Sequence, residues 1–206
     1  MRTVLTLFAA TALLGTTACN KSPGESAAAE ASGDAAEATA ETAAQDPGTP
    51  LAVGAAAPMF TTEGALAGEA FTLDLAAQLK NGPVVLYFFP AAFTSGCTLE
   101  SKEFADRNDD FEAMGAKVFG LSGDDVETLA RFSTEACRDK FAVAQATPEI
   151  MSGYGVALDP ANLITASRTS YVIGQDGNVA MVHSEMDYRD HVRLTYEAVE
   201  KMKAES

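Results

Sequence analysis

The sequence is short of positive charge, of cysteine and of histidine, and each shortage removes a class of function. Lys and Arg number 14 against 29 Asp and Glu, a formal charge of −15. Such a surface repels phosphate backbones, which excludes nucleic acid as a partner. The three cysteines, Cys19, Cys97 and Cys137, form no Cys-x-x-Cys pair, because Cys97 is followed by Thr98-Leu99-Glu100. That absence argues against a thiol–disulfide oxidoreductase, whose second thiol releases the substrate. His183 and His191 are the only histidines and stand in no recognisable motif, so they read as a hairpin residue and a helix-surface residue rather than as catalytic bases. The apolar run Val4–Leu14 is too short to span a bilayer as a stable helix. There is no internal repeat.

What is present divides the chain into three parts. Arg2 and the apolar run Val4–Leu14 have the form of an export signal over residues 1–18. Leu13-Leu14-Gly15-Thr16-Thr17-Ala18-Cys19 resembles a bacterial lipobox, in which the cysteine is diacylated and becomes the mature N-terminus. Thr16 stands where leucine is usual, and the alternative is an ordinary secretory peptide cleaved nearby, with Cys19 discarded. Either way the expected location is the cell envelope or periplasm, with a lipid anchor on a membrane in the first case. Residues 19–50 read as a disordered tether: ten of the 31 residues from 20 to 50 are Ala, none is a large hydrophobe, and six acids against Lys21 leave a charge of −5. Residues 51–206 are apolar-rich and form the folded domain, still acidic at −11.

Within that domain, Phe71-Thr72-Leu73 reads as a short strand after a turn around Gly64–Gly68. Val84–Phe89 is an unbroken apolar, β-prone run, as in a central strand buried on both faces. A helix is predicted from about Thr98 to Met114, with Leu99, Phe104, Phe111 and Met114 along one side, then a second buried strand at Val118–Leu121. Asp124 and Asp125 suit the start of another helix running to about Cys137, with Arg138 and Lys140 at its C-terminal end. Tyr171–Ile173 and Val179–His183 flank Gln175-Asp176-Gly177-Asn178, a hairpin signal. A final amphipathic helix covers about Asp190–Lys203, with Val192, Tyr196 and Val199 at helical spacing. Alternating strands and helices, then a late hairpin and a terminal helix, predict an α/β sandwich with a mixed central β-sheet.

Chemistry concentrates in Pro90-Ala91-Ala92-Phe93-Thr94-Ser95-Gly96-Cys97, between the buried strand and its following helix. Open α/β sheets bind ligands at the C-terminal ends of their strands. A cysteine here enters a first helical turn, where unpaired N–H groups favour an anion, and the thiolate is the nucleophilic form. Thr94 is expected to place a hydroxyl beside the sulfur, and Pro90 to stiffen the loop. The alternative for Cys97 is a buried free cysteine of the core.

These residues match Pro-x-x-x-Thr-x-x-Cys, with Glu100 three residues further on, and so resemble the peroxiredoxin motif of the AhpC/TSA redoxins. The resemblance extends to Val53–Phe60, Pro83–Pro90, Val118–Ser122, Tyr154–Val156 and Arg168–Ile173, about 150 residues in all, and is specifically similar to the bacterioferritin-comigratory, or peroxiredoxin Q, branch. It implies a thioredoxin-like three-layer fold and a peroxidase needing no metal, flavin or haem. By the same resemblance, Cys97 attacks a hydroperoxide and becomes a sulfenic acid. Arg168 stabilises the thiolate and the charge developing on oxygen, Thr94 hydrogen-bonds the peroxide, Pro90 shields the site and Glu100 holds the arginine. A thioredoxin-like protein or a small thiol would return the electrons.

Many relatives in this branch carry a resolving cysteine five residues after the first, and that position here is Lys102. Cys137 is the remaining candidate, since members of the branch are known with a resolving cysteine on the following helix. The alternative is a core residue, because Val126, Ala130 and Cys137 share a helical face, but the resolving role is favoured because the pair is the redox couple that the mature protein has. If it is a core residue, the enzyme works with one cysteine. A non-catalytic, redox-sensing or binding lipoprotein is the rival without turnover.

Overall fold

The computed structural model describes residues 45–205. The export signal, Cys19 and residues 20–44 of the expected tether lie outside the described residues. Residues 45–50, the tether's expected end, are fastened to the domain: the Ala157 N–H donates to the Pro47 carbonyl at 2.7 Å.

Seven strands form one sheet in the order β2-β1-β5-β4-β3-β6-β7. They are β1 (Thr61–Leu66), β2 (Glu69–Asp74), β3 (Val84–Phe88), β4 (Lys117–Ser122), β5 (Ala142–Gln145), β6 (Thr169–Ile173) and β7 (Val179–Ser184). The central pairs β3–β4 and β4–β5 are parallel and the remaining pairs antiparallel, so the sheet is mixed as predicted. The helices are α1 (Leu75–Leu79), α2 (Ser95–Ala113), α3 (Val126–Glu135), α4 (Pro148–Tyr154) and α5 (His191–Ala204), with a short 3-10 helix at Tyr188–Asp190.

The alternation of a strand builds the three layers. Val84, Leu86 and Phe88 of β3 join a core with Leu75 and Leu79 of α1 and with Ile150 and Tyr154 of α4. Val85, Tyr87 and Phe89 point the other way, onto Phe104 and Phe111 of α2, Leu129 and Phe132 of α3, and Val192 and Val199 of α5. The Tyr87 and Phe104 rings stack with centroids 4.4 Å apart. Truncating Phe104 to alanine would cost ~3–5 kcal/mol.

Several local expectations change. Gly64 lies inside β1 rather than in a turn. Its hydrogen faces β5, where a Cβ would sit 2.2 Å from the Val143 carbonyl oxygen. The turn is the two-residue loop Ala67-Gly68, both at positive φ (52° and 80°), which suits the twist of a hairpin. Leu99 is exposed and leaves the buried side of α2 to Phe104 and Phe111. The third helix ends at Glu135, before Cys137, because Arg138 and Asp139 turn to positive φ and the Asp139 N–H closes on the Ser133 carbonyl. Arg138 and Lys140 pair with Asp106 and Asp109 of α2 instead of the helix end. The buried face of α3 is Leu129, Phe132 and Ser133, while Val126 and Ala130 are half-buried.

Candidate active site

Sheet register assembles the site. The parallel strands β3 and β4 deliver their following loops to one edge of the sheet, and the antiparallel β6 begins there. Phe88 pairs with Thr169, so Arg168 enters beside the loop that follows β3. That loop is clamped: the Phe89 N–H donates to the Leu121 carbonyl at 2.9 Å, and the Ala92 N–H donates to Asp124 Oδ2 at 2.7 Å. Ser122 Oγ donates to the same carboxylate oxygen at 2.8 Å. Half-buried Pro90 lies between the two clamps. Phe93 takes a left-handed backbone, φ 63°, a costly conformation for a bulky residue. It is held by edge-on packing on Phe132 and by the Arg131 guanidinium over its ring.

Cys97 lies in the first turn of α2 with no exposed surface. Arg168 spreads its guanidinium over three acceptors. Nη2 donates to Cys97 Sγ at 3.4 Å, Nε donates to the Met186 carbonyl at 3.0 Å, and Nη1 donates to Glu100 Oε2. Arg168 is 5% exposed and Glu100 wholly buried, so these contacts act in a low-dielectric interior. Gly96 admits the arginine, since a Cβ there would meet Nη2 at 3.3 Å. Thr94 caps α2 by position only. Its hydroxyl donates to the Ala91 carbonyl at 3.0 Å, which closes the turn of its own loop.

Burial pushes the Glu100 carboxyl up to about 8 against the pull of Arg168. Its Oε1 finds no hydrogen-bond partner among the described residues. Facing Oε1 at 3.7 Å is Nδ1 of His191, which corrects the expectation of a helix-surface residue: His191 is fully buried. Its ring lies 4.5 Å from that of His183, a half-buried hairpin residue as expected. Burial pushes His191 down to about 4, so it is neutral at ordinary pH.

Cys137 is the second free thiol and is also fully buried, on the same core face as Cys97. The Tyr87 and Ser101 hydroxyls, hydrogen-bonded to each other at 2.9 Å, lie near it and favour the thiolate, yet burial prevails and pushes the thiol up. Ser101, four residues after Cys97 on α2, lies near the Cys137 thiol.

The sequence reading missed Asp124 as a loop clamp, Gly96 as an opening and the Glu185–Met186 carbonyls as acceptors. One signal was available for His191: with Thr195 and Val199 it forms an i, i+4, i+8 row, and all three are buried.

The model of the AhpC/TSA family matches residues 53–182, more than half of the chain. The chain belongs to the AhpC/TSA family. A Mycobacterium tuberculosis protein that carries the name peroxiredoxin is 34% identical over 119 residues, covering 57% of this chain and 77% of the relative. Chloroplast peroxiredoxin Q of Oryza sativa subsp. japonica is 31% identical over 131 residues, 64% of this chain, and the chain spans 58% of that relative's length. Among solved structures, the peroxidoxin BcpB of Mycobacterium tuberculosis has a TM-score of 0.64 at 29% identity, covering 73% of this chain and 97% of its own. The Xanthomonas campestris bacterioferritin comigratory protein, at 21% identity and a TM-score of 0.60 over 68% of this chain and 91% of its own, shares the fold. Within the family the relatives support the peroxiredoxin Q, or bacterioferritin-comigratory, branch.

Proposed function

We propose that this family member is a thiol-dependent peroxidase that reduces hydrogen peroxide and organic hydroperoxides with Cys97 as its nucleophile. One observation carries the reading: a buried arginine donates to the sulfur of a cysteine in the first turn of a helix, 3.4 Å away. The cation and the N–H groups of that turn favour negative charge on sulfur, and later on the departing oxygen. The Cys97 thiolate attacks the outer peroxide oxygen, the O–O bond breaks, and the alkoxide or hydroxide leaves and takes a proton from solvent. Cys97 is then a sulfenic acid. Glu100, biased by burial towards its neutral form, orients the guanidinium while leaving its charge to the sulfur. Thr94 turns its hydroxyl from the Ala91 carbonyl to the bound peroxide, and Pro90 screens the site.

Cys137 resolves the sulfenic acid. Its thiol attacks Cys97, water leaves, and an intramolecular disulfide forms, which a thioredoxin-like protein or a small thiol reduces by exchange. The shared core supports this step, because both cysteines belong to one packed cluster on the same side of the sheet. Bonded cysteines need Cα atoms within roughly 7 Å, and Cys97 opens one helix while Cys137 follows the end of the next, so one or both helix ends unwind locally first. The test is peptide mapping after one equivalent of peroxide. A Cys97–Cys137 bond is expected, whereas a Cys97 sulfenate beside free Cys137 makes this a one-cysteine peroxidase. Residues 1–19 support export with a diacyl anchor on Cys19. Labelling with a radioactive fatty acid should mark the full chain and not Cys19→Ser.

A further inference from the structure

The Arg168 guanidinium is held by three acceptors on two separate elements, and one buried side chain ties the supports of that arrangement together. His191 Nε2 lies 2.9 Å from the Glu185 carbonyl. A carbonyl only accepts, so Nε2 carries the hydrogen, and Nδ1 accepts from the Ser170 hydroxyl at 2.8 Å. Glu185 immediately precedes Met186, whose carbonyl receives Arg168 Nε. Ser170 stands two residues beyond Arg168 on β6, hence on the same side of the strand. The ring's Nδ1 edge faces Glu100 Oε1, the oxygen opposite the one that receives Arg168. His191, itself without solvent exposure, thus touches β6, the segment after β7 and α2.

We infer that His191 is a positioning residue for the peroxidase reaction: by holding the Glu185 carbonyl and Ser170, it fixes the Met186 carbonyl and the guanidinium of Arg168 against Cys97. The inference rests on the proposed pairing of Cys97 with Arg168. Without the imidazole, the Glu185 carbonyl loses its donor and the exposed 185–187 segment is free to turn it towards water. The Met186 carbonyl, one peptide on, moves with it, and the arginine loses its third anchor. A displacement of this kind acts on rate out of proportion to stability, because reacting groups tolerate little misplacement.

The two ring nitrogens do different work, and this separates positioning from packing. In His191→Gln the side-chain amide occupies the Nε2 position and still donates to Glu185. In His191→Asn the amide reaches only the Nδ1 position, near Ser170. His191→Phe fills the space and bonds neither. Thr195→Val is the control for stability, since Thr195 is buried on the same helix and bonds only the His191 and Val192 carbonyls within it. The experiment measures single-turnover oxidation of Cys97 by hydrogen peroxide alongside thermal unfolding. His191→Asn and His191→Phe should slow oxidation roughly tenfold to a hundredfold. His191→Gln should recover most of the rate, and Thr195→Val should keep it while lowering the melting temperature. The inference is overturned if Gln is as slow as Asn, if Thr195→Val slows equally, or if all variants react at the wild-type rate. Should the Phe variant not fold, the Gln–Asn comparison decides. Arg168→Met in the same assay separates the two levels: slow Arg168→Met with fast His191 variants defeats this inference alone, and fast Arg168→Met brings down the pairing and the inference together.

Discussion

Cys97 and Cys137 are both free, both without exposed surface, and both part of one core face, yet their surroundings prepare them for different chemistry. Cys97 has a cation donating to its sulfur and stands where a helix leaves N–H groups unpaired. Cys137 stands after a helix end, with two neutral hydroxyls for company, and burial holds it in the thiol form. Burial alone holds a cysteine in the thiol form until the chain opens locally, whereas a charged neighbour and a helix start favour the thiolate in place.

The largest expected effect separates the two thiols outright. Cys97→Ser should abolish peroxidase activity with the fold intact, because the exchange is nearly isosteric. Cys137→Ser should keep a wild-type first oxidation, then accumulate sulfenic acid and over-oxidise more readily. Stopped-flow oxidation with mass analysis reads both, and peroxidase turnover by the Cys97 variant would break the comparison. Next in size is the removal of the neighbour that distinguishes them. Losing one preorganised donor costs ~10²–10³ in rate, so Arg168→Met should slow the first oxidation by about that factor while the sheet stays folded. An unchanged rate would leave Arg168 as a structural cation.

The smallest effect concerns how much of the Arg168 charge is left for Cys97. Glu100 is protonated in the fold up to about 8 and ionised in the unfolded chain above its ordinary value of 4.5. The unfolded chain therefore binds fewer protons in that window, and stability falls as pH rises through it. His191 has the opposite sign. The unfolded chain protonates it below about 6.5 and the fold only below about 4, so stability falls as pH drops through that range. The two slopes oppose each other between about 4.5 and 6.5, and the Glu100 slope stands by itself from there to about 8. Denaturant titrations should show the wild type less stable at pH 8 than at pH 6.5, by on the order of 2 kcal/mol, and Glu100→Gln should flatten that difference. A wild type equally stable at both would mean an ionised Glu100 that shares the arginine's charge with the sulfur.

Much of the frame was legible because its signals are local. Val84–Phe89 has an apolar residue at every position and is rich in β-branched and aromatic side chains, the pattern of a strand covered on both faces. Gln175–Asn178 carries its own turn chemistry, and Pro90–Cys97 links a strand to a helix within eight residues. Elements with weak local patterns escaped: β5 is four residues long and half alanine, and β1 is interrupted by Gly64, which reads as a turn until β5 is placed against it. Asp124 looked like a helix-starting acid because it sits beside Asp125. Asp125 does cap α3, through Thr128, and Asp124 holds the Ala92 loop instead.

The sequence by itself determined that Cys97 would open a helix after a buried strand, since chain order, β propensity and the loop's proline decide that within a short stretch. Its partners were another matter. Arg168 is 71 residues away in the chain and reaches the sulfur because β6 runs antiparallel to β3 in a register that pairs Thr169 with Phe88. His191 faces inward because α5 packs over β6 and β7 with that edge turned to Ser170 and Glu185. Local pattern sets which side chains stand at an element's start and on its faces. Only the register of one strand against another, which depends on the packing of the whole sheet, decides which of them meet.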